Sequence, residues 1–115
     1  MIKTKKCAIY GGTFDPIHNG HLHLISEIAR SGDFDKFIVI PSGLPSQKVA
    51  IASAADRLAM TKLAVSEILG SNHLYEVDDC EITRSGPSFA IDTATEILNR
   101  YPEYEIYWII GSDIV

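Results

Sequence analysis

The chain has 115 residues, of which 46% are apolar and 22% charged, with a formal net charge of −5. That length accommodates one domain with a real core, the acidic balance argues against a general nucleic-acid binder, and no apolar run approaches the ~20 residues that span a bilayer. The N-terminal Met1-Ile2-Lys3-Thr4-Lys5-Lys6 is basic, but the apolar stretch behind it is too short for a secretory signal, so a cytoplasmic protein is expected.

Cys7-Ala8-Ile9-Tyr10 is a short apolar run ending in Gly11-Gly12, which predicts a buried strand and a glycine turn. Behind it stands Thr13-Phe14-Asp15-Pro16-Ile17-His18-Asn19-Gly20-His21, leading into a helix whose first turn carries two histidines. Leu22, Leu24, Ile25, Ile28 and Ala29 then recur near the helical period until Ser31-Gly32-Asp33 stops the helix. A strand that feeds a glycine turn into a helix N-terminus can hold phosphate. Glycine admits close backbone approach, the helix start offers unpaired N–H groups, and imidazoles add donors.

Lys36-Phe37-Ile38-Val39-Ile40 is β-branched and halted by Pro41, a second strand. Pro41 to Ile51 lacks periodicity and reads as a loop. Ser53 fits a helix N-cap with Asp56 at the third helical position. The helix continues from Arg57 to Leu69, with Leu58, Met60, Leu63, Ala64, Val65, Ile68 and Leu69 as its apolar residues, and Gly70 closes it. His73 to Ile82 reads as a strand, Ser88 as the cap of a helix with Ile91, Ala94, Ile97 and Leu98 on one side, and Glu105 to Ile110 as the last strand. Gly111-Ser112-Asp113 turns out of its end.

Alternation of strand and helix predicts an α/β fold, a doubly wound, Rossmann-like parallel sheet with helices on both faces. The loops 11–21, 41–48, 84–88 and 111–113 all follow strands and would gather at the carboxyl edge, where such sheets bind ligands. Cys7 and Cys80 sit in strand-like apolar contexts and read as reduced core residues, with neither a disulfide nor a metal motif. The chain stops at Ile114-Val115, where such a domain ordinarily continues into a helix, so residues 1–115 are read as one nucleotide-binding domain lacking its C-terminal part.

With these residues in view the chain resembles the bacterial nicotinate-mononucleotide adenylyltransferases of the nucleotidylyltransferase superfamily. The resemblance rests on four ordered matches. The first is Gly11-Gly12-Thr13-Phe14-Asp15-Pro16-Ile17-His18-Asn19-Gly20-His21. The second is the loop Pro41 to Lys48, where Gln47 replaces the family's usual histidine while Lys48 is kept, followed by Arg57 and Met60 in an R-x-x-M pattern. The third is Gly86-Pro87-Ser88-Phe89-Ala90-Ile91-Asp92-Thr93, with Phe89 for tyrosine and Ala90 for threonine. The fourth is Trp108-Ile109-Ile110-Gly111-Ser112-Asp113, an apolar strand followed by Gly-x-Asp.

The resemblance implies adenylyl transfer from ATP to nicotinate mononucleotide, giving nicotinate adenine dinucleotide and pyrophosphate without a covalent enzyme intermediate. It implies that His18 and His21 touch the ATP phosphates, with Lys48 as a mobile catalytic cation. Gly11, Gly12, Thr13 and Phe14 would line the ATP site with main-chain N–H groups and pocket wall, and Gly111 and Asp113 would meet the nucleoside. Ser88, Phe89 and Ala90 would form the nicotinate pocket, where helix-start N–H groups suit a carboxylate. Asp15 either contacts substrate or sets up the turn, and Arg57 either binds phosphate or pairs with Asp56 or Glu81. Thr93 and Trp108 read as packing residues, and His23 and His73 as ordinary helix and strand residues. Magnesium is expected with the triphosphate, held by phosphate oxygens and water, with no protein metal site. The sequence leaves a homo-oligomer open and points to no nucleic acid or membrane partner. Two rivals stand beside this reading: pantetheine-phosphate adenylyltransferase, and a nucleotide-binding module without turnover, since the family's late Ser/Thr-Arg element does not occur in these 115 residues.

Overall fold

Each long strand is apolar on both faces, so it must be covered from above and below. The computed structural model describes residues 5–12, 14, 17–42, 53–70, 75–83 and 90–109. Its elements are β1 (Lys5–Gly12), α1 (Asn19–Ser31), β2 (Lys36–Pro41), α2 (Ala54–Leu69), β3 (Tyr75–Val77), α3 (Cys80–Thr83), α4 (Ala90–Arg100) and β4 (Tyr104–Ile109). The strands form one sheet in the order β3-β2-β1-β4. All three pairings are parallel, with Ala8 opposite Phe37 on one side and Tyr107 on the other.

Alternate residues of the central strands feed two cores. Ala8, Tyr10, Phe37 and Val39 pack with Ile25 of α1 and Val65 of α2, together with Phe14 and Ile17. Cys7, Ile9, Ile38 and Ile40 pack on the opposite face with Cys80 of α3 and Ile97 of α4. The sheet is therefore doubly wound, as the alternating sequence implies. From β1 the chain builds outward through β2 and β3, then returns to lay β4 on β1's other side. That reversal falls between β1 and β4, and the carboxyl end of such a switch point is where open α/β sheets receive ligands.

Several boundaries differ from the sequence expectation. The glycines Gly11 and Gly12 belong to β1, and Pro41 belongs to β2, opposite Gly12. Proline has no N–H for the ladder, and the Ser42 N–H makes the next bond, to the Gly12 carbonyl at 2.7 Å. The strand expected over His73–Ile82 is β3 alone among the described residues. The Asp78 N–H still bonds the Val39 carbonyl, but the Asp78 carboxylate then accepts the Cys80 N–H at 2.9 Å. This aspartate turn converts the chain from strand to the short helix α3, so Cys80 is buried on a helix and not on a strand.

The buried faces of α2 and α4 also differ from the apolar lists. On α2 the buried residues are Arg57, Thr61 and Val65, spaced by four, while Leu63 and Ile68 face outward. On α4 they are Thr93 and Ile97, while Ile91 and Leu98 are exposed. In both helices hydrogen-bonded polar side chains occupy core positions, which hydrophobicity alone does not reveal. The caps follow the sequence: Ser53 Oγ accepts the Asp56 N–H at 3.1 Å, and Gly32 ends α1 at φ 72°, the left-handed geometry glycine tolerates. Among the described residues no helix is long and apolar enough to cross a membrane.

Candidate active site

The carboxyl end of β1 leads through Phe14 and Ile17 to the first turn of α1. Phe14 takes φ 50°, a left-handed backbone that costs an L-residue ~1–2 kcal/mol. Its ring is nevertheless buried, edge-on to Tyr10 at 5.6 Å and to His21 at 5.0 Å between centroids. Gly12 is required here: a Cβ would lie 2.8 Å from the Phe14 ring. Burial of Phe14 thus holds the strained turn, and the turn carries the chain to the histidines.

His18 is the N-cap of α1, with extended backbone, and His21 is its third helical residue. The two side chains cap the helix reciprocally. His18 Nδ1 accepts the Gly20 N–H at 3.1 Å, and His21 Nδ1 accepts the His18 N–H at 3.1 Å. The rings stack with centroids 3.8 Å apart and 28° between planes. A neutral imidazole that accepts at Nδ1 carries its proton at Nε2. Both histidines therefore present an Nε2–H donor, in fixed rotamers, at the positive end of a 13-residue helix with no acidic residue in its first turn. The arrangement suits an anion with several oxygen acceptors. Gly20 belongs to it as well, because a Cβ there would lie 2.9 Å from His18 Cε1. The sequence reading gave Gly20 no role. Its signal was available in the spacing, since residues 18 and 21 stand at N-cap and N3, the positions of a capping box.

The described candidate residues converge only in part. Gly11, Gly12, Phe14, His18 and His21 share the carboxyl end of β1 and the start of α1. Arg57 is buried on α2, and its Nη1 donates to the Ser42 carbonyl at 2.8 Å. Ala90 begins α4. Thr13, Asp15, Lys48, Ser88, Phe89, Gly111 and Asp113 lie outside the described residues, as does Gln47. Thr93 is fully buried and donates to Glu81 Oε2 at 2.6 Å.

A second polar cluster joins β3, α3 and α4. Ligand atoms of Asp78, Cys80 and Glu96 lie within 4.8 Å of one another. Arg100 bonds both Asp78 and Glu96, the latter at 2.9 Å. Burial raises the Asp78 carboxyl, but hydrogen bonds from Arg100 and Cys80 outweigh it and hold Asp78 below the usual carboxylate range. Burial, with Asp78 beside it, pushes the Cys80 thiol up to about 12. Arg100 bonds both carboxylates, so the cluster is an ion-pair network that ties the end of β3 to α4.

A sequence profile described as cytidylyltransferase-like matches residues 9–115. A protein of Neisseria meningitidis serogroup C, named probable nicotinate-nucleotide adenylyltransferase, is 43% identical over 110 residues, covering 95% of this chain and 54% of its own length. Two solved structures of Plasmodium falciparum nicotinic acid mononucleotide adenylyltransferase share the fold at 22% identity. The one complexed with NaAD has a TM-score of 0.77 over 96% of this chain and 54% of its own. The one complexed with APC has a TM-score of 0.74 over 96% of this chain and 53% of its own. The chain spans about half the length of the curated relatives it matches.

Proposed function

The chain belongs to the cytidylyltransferase-like family, and on that premise we propose that it binds ATP in the β1–α1 cradle for adenylyl transfer to nicotinate mononucleotide. One observation carries the reading: two stacked histidines, each with its proton directed to Nε2 by a reciprocal cap, stand at the N-terminus of α1 beside the strand-order reversal. The names of the curated relatives support the acceptor.

In this reaction a 5′-phosphate oxygen of the mononucleotide attacks the α-phosphorus of ATP. The bond to the bridging oxygen breaks opposite, and pyrophosphate leaves with the electron pair. The nucleophile is already an anion, so no base need deprotonate it. What the protein supplies is alignment of two polyanions and donors for charge that grows on the phosphate oxygens. His18 and His21 would supply such donors from Nε2 while Nδ1 keeps the caps that orient them. Magnesium would enter as part of the substrate, bound to the oxygens of the triphosphate. On the resemblance alone, Lys48 would add a cation, Ser88, Phe89 and Ala90 would receive the nicotinate carboxylate, Thr13, Gly111 and Asp113 would complete the ATP site, and Asp15 would contact substrate.

The test is pyrophosphate release from ATP with nicotinate mononucleotide, and separately with phosphopantetheine, as acceptor. Release with nicotinate mononucleotide alone is the expected result. Release with phosphopantetheine alone overturns the reading in favour of the pantetheine branch. ATP binding without release with either acceptor would reduce the chain to a nucleotide-binding module.

A further inference from the structure

We infer that Arg57 is a positioning residue that braces the ATP cradle from behind, and that it does not bind phosphate itself. This rests on the cradle reading above. Arg57 stands in the first turn of α2, the positive end of that helix, where a cation is disfavoured. Its side chain is also only 2% exposed, so the charge has been withdrawn from water. Both costs demand acceptors, and the Ser42 carbonyl is among them: Nη1 donates to it at 2.8 Å. The Ser42 N–H in turn donates to the Gly12 carbonyl at 2.7 Å. One peptide residue thus links a buried guanidinium to the last residue of β1.

The link matters because the Ser42–Gly12 bond ties the carboxyl ends of β2 and β1 together. Gly12 stands opposite Pro41, and in a parallel pair the N–H of the next residue, Ser42, makes the bond to the Gly12 carbonyl. From Gly12 the path continues by contact. The Phe14 ring lies 2.8 Å from where a Gly12 Cβ would sit, and it meets His21 edge-on with centroids 5.0 Å apart. Arg57, Ser42, Gly12, Phe14 and His21 therefore form one continuous chain from the core of α2 to the phosphate donors. Arg57 sets the height of the β2 terminus against β1, and through it the platform under His21.

The experiment separates the brace from the cradle. In nucleotide-free protein, Arg57→Met should shift the amide resonances of Ser42 and Gly12 and the imidazole resonances of His21. Arg57→Lys, which keeps the charge and N–H donors on a shorter, less branched head, should shift them less. ATP affinity should fall about twofold to thirtyfold in Arg57→Met, the range for a residue that acts on a site without contacting its ligand. In the wild-type protein, which removes any question of variant folding, ATP should move the His18 and His21 ring resonances and leave the Arg57 Nη resonances in place. Large Arg57 Nη shifts on adding ATP, or unchanged Gly12 and His21 resonances in a folded Arg57→Met, would overturn the brace. Wild-type protein that does not bind ATP would overturn the cradle instead, while the nucleotide-free shifts would still decide the brace.

Discussion

His18 does two jobs with two different nitrogens, and a substitution can take away one at a time. Its Nδ1 caps α1 by accepting the Gly20 N–H, while Nε2 is the donor proposed to meet phosphate. Asparagine is among the best N-cap residues and its amide oxygen can replace Nδ1. His18→Asn should therefore keep the melting temperature close to wild type while lowering turnover by about a hundredfold, the scale of losing one transition-state donor. His18→Ala should lose the cap as well, at ~1 kcal/mol. Thermal melts beside pyrophosphate-release rates distinguish the two; equal melting temperatures for both variants would remove the capping role. Gly20→Ala sets two effects of similar size against each other. Alanine favours helix over glycine by up to ~1 kcal/mol, but its Cβ would meet His18 Cε1 at 2.9 Å and push the imidazole off its cap. Stability should change little and ATP affinity should fall, as calorimetric titration would show.

At the scale of elements, α4 shows how a buried face is chosen. Ile91 and Ile97 are six residues apart, which places them on different sides of a helix, whereas Thr93 and Ile97 are spaced by four and share one. Thr93 is fully buried because Glu81 accepts its hydroxyl, and Ile97 is buried beside the sheet. Ile97→Ala should accordingly cost ~2–4 kcal/mol, and Ile91→Lys, at a site 74% exposed, should stay within ~0.5 kcal/mol. Urea titration of both variants checks the orientation; comparable losses would refute it. The same helix marks where the sequence was legible. The alternation of strands and helices, the parallel sheet, the Ser53 and Gly32 caps and the glycine-to-histidine motif could all be read, because each depends on local pattern. The partition of α2 and α4 could not, because Arg57, Thr61 and Thr93 are buried through hydrogen bonds to distant or backbone partners that carry no local signature. Nor could α3, whose start depends on Asp78 leaving the sheet after one last bond to Val39. Of the site, the histidines were legible by type and spacing; their tautomer and reciprocal caps required coordinates.

Across the whole molecule, the layer between the sheet and α3–α4 holds two thiols among its isoleucines and the Arg100–Asp78 pair at its α4 side, and both kinds of group respond to pH. Asp78 is held below its ordinary carboxylate range by Arg100 and the Cys80 N–H, against the opposing effect of burial. A lowered folded value contributes stability above the unfolded carboxylate range near ~4 and loses it as pH falls through the folded value. Asp78→Asn should flatten acid unfolding, read by circular dichroism as pH falls below ~4; solvent screening of the 37%-exposed Arg100 side chain keeps the effect modest. The thiols act at the other extreme. Burial pushes Cys7 up to about 11, and burial with nearby carboxylates pushes Cys80 up to about 12. Values raised above the unfolded thiol's ~8.5 mean stability that is present below that pH and lost as pH rises through the folded values. Cys7 lies on the central strand and Cys80 on α3, yet both are packed in the same core. At pH 8 a thiol reagent should therefore label neither residue in the native protein, since both are buried and protonated and only the thiolate attacks. As urea is raised, the two should become reactive together and along the same curve as loss of helical signal, because exposing either requires separating the same two layers. Labelling of Cys80 at a lower urea concentration than Cys7 would show instead that α3 and α4 lift from the sheet as a unit of their own.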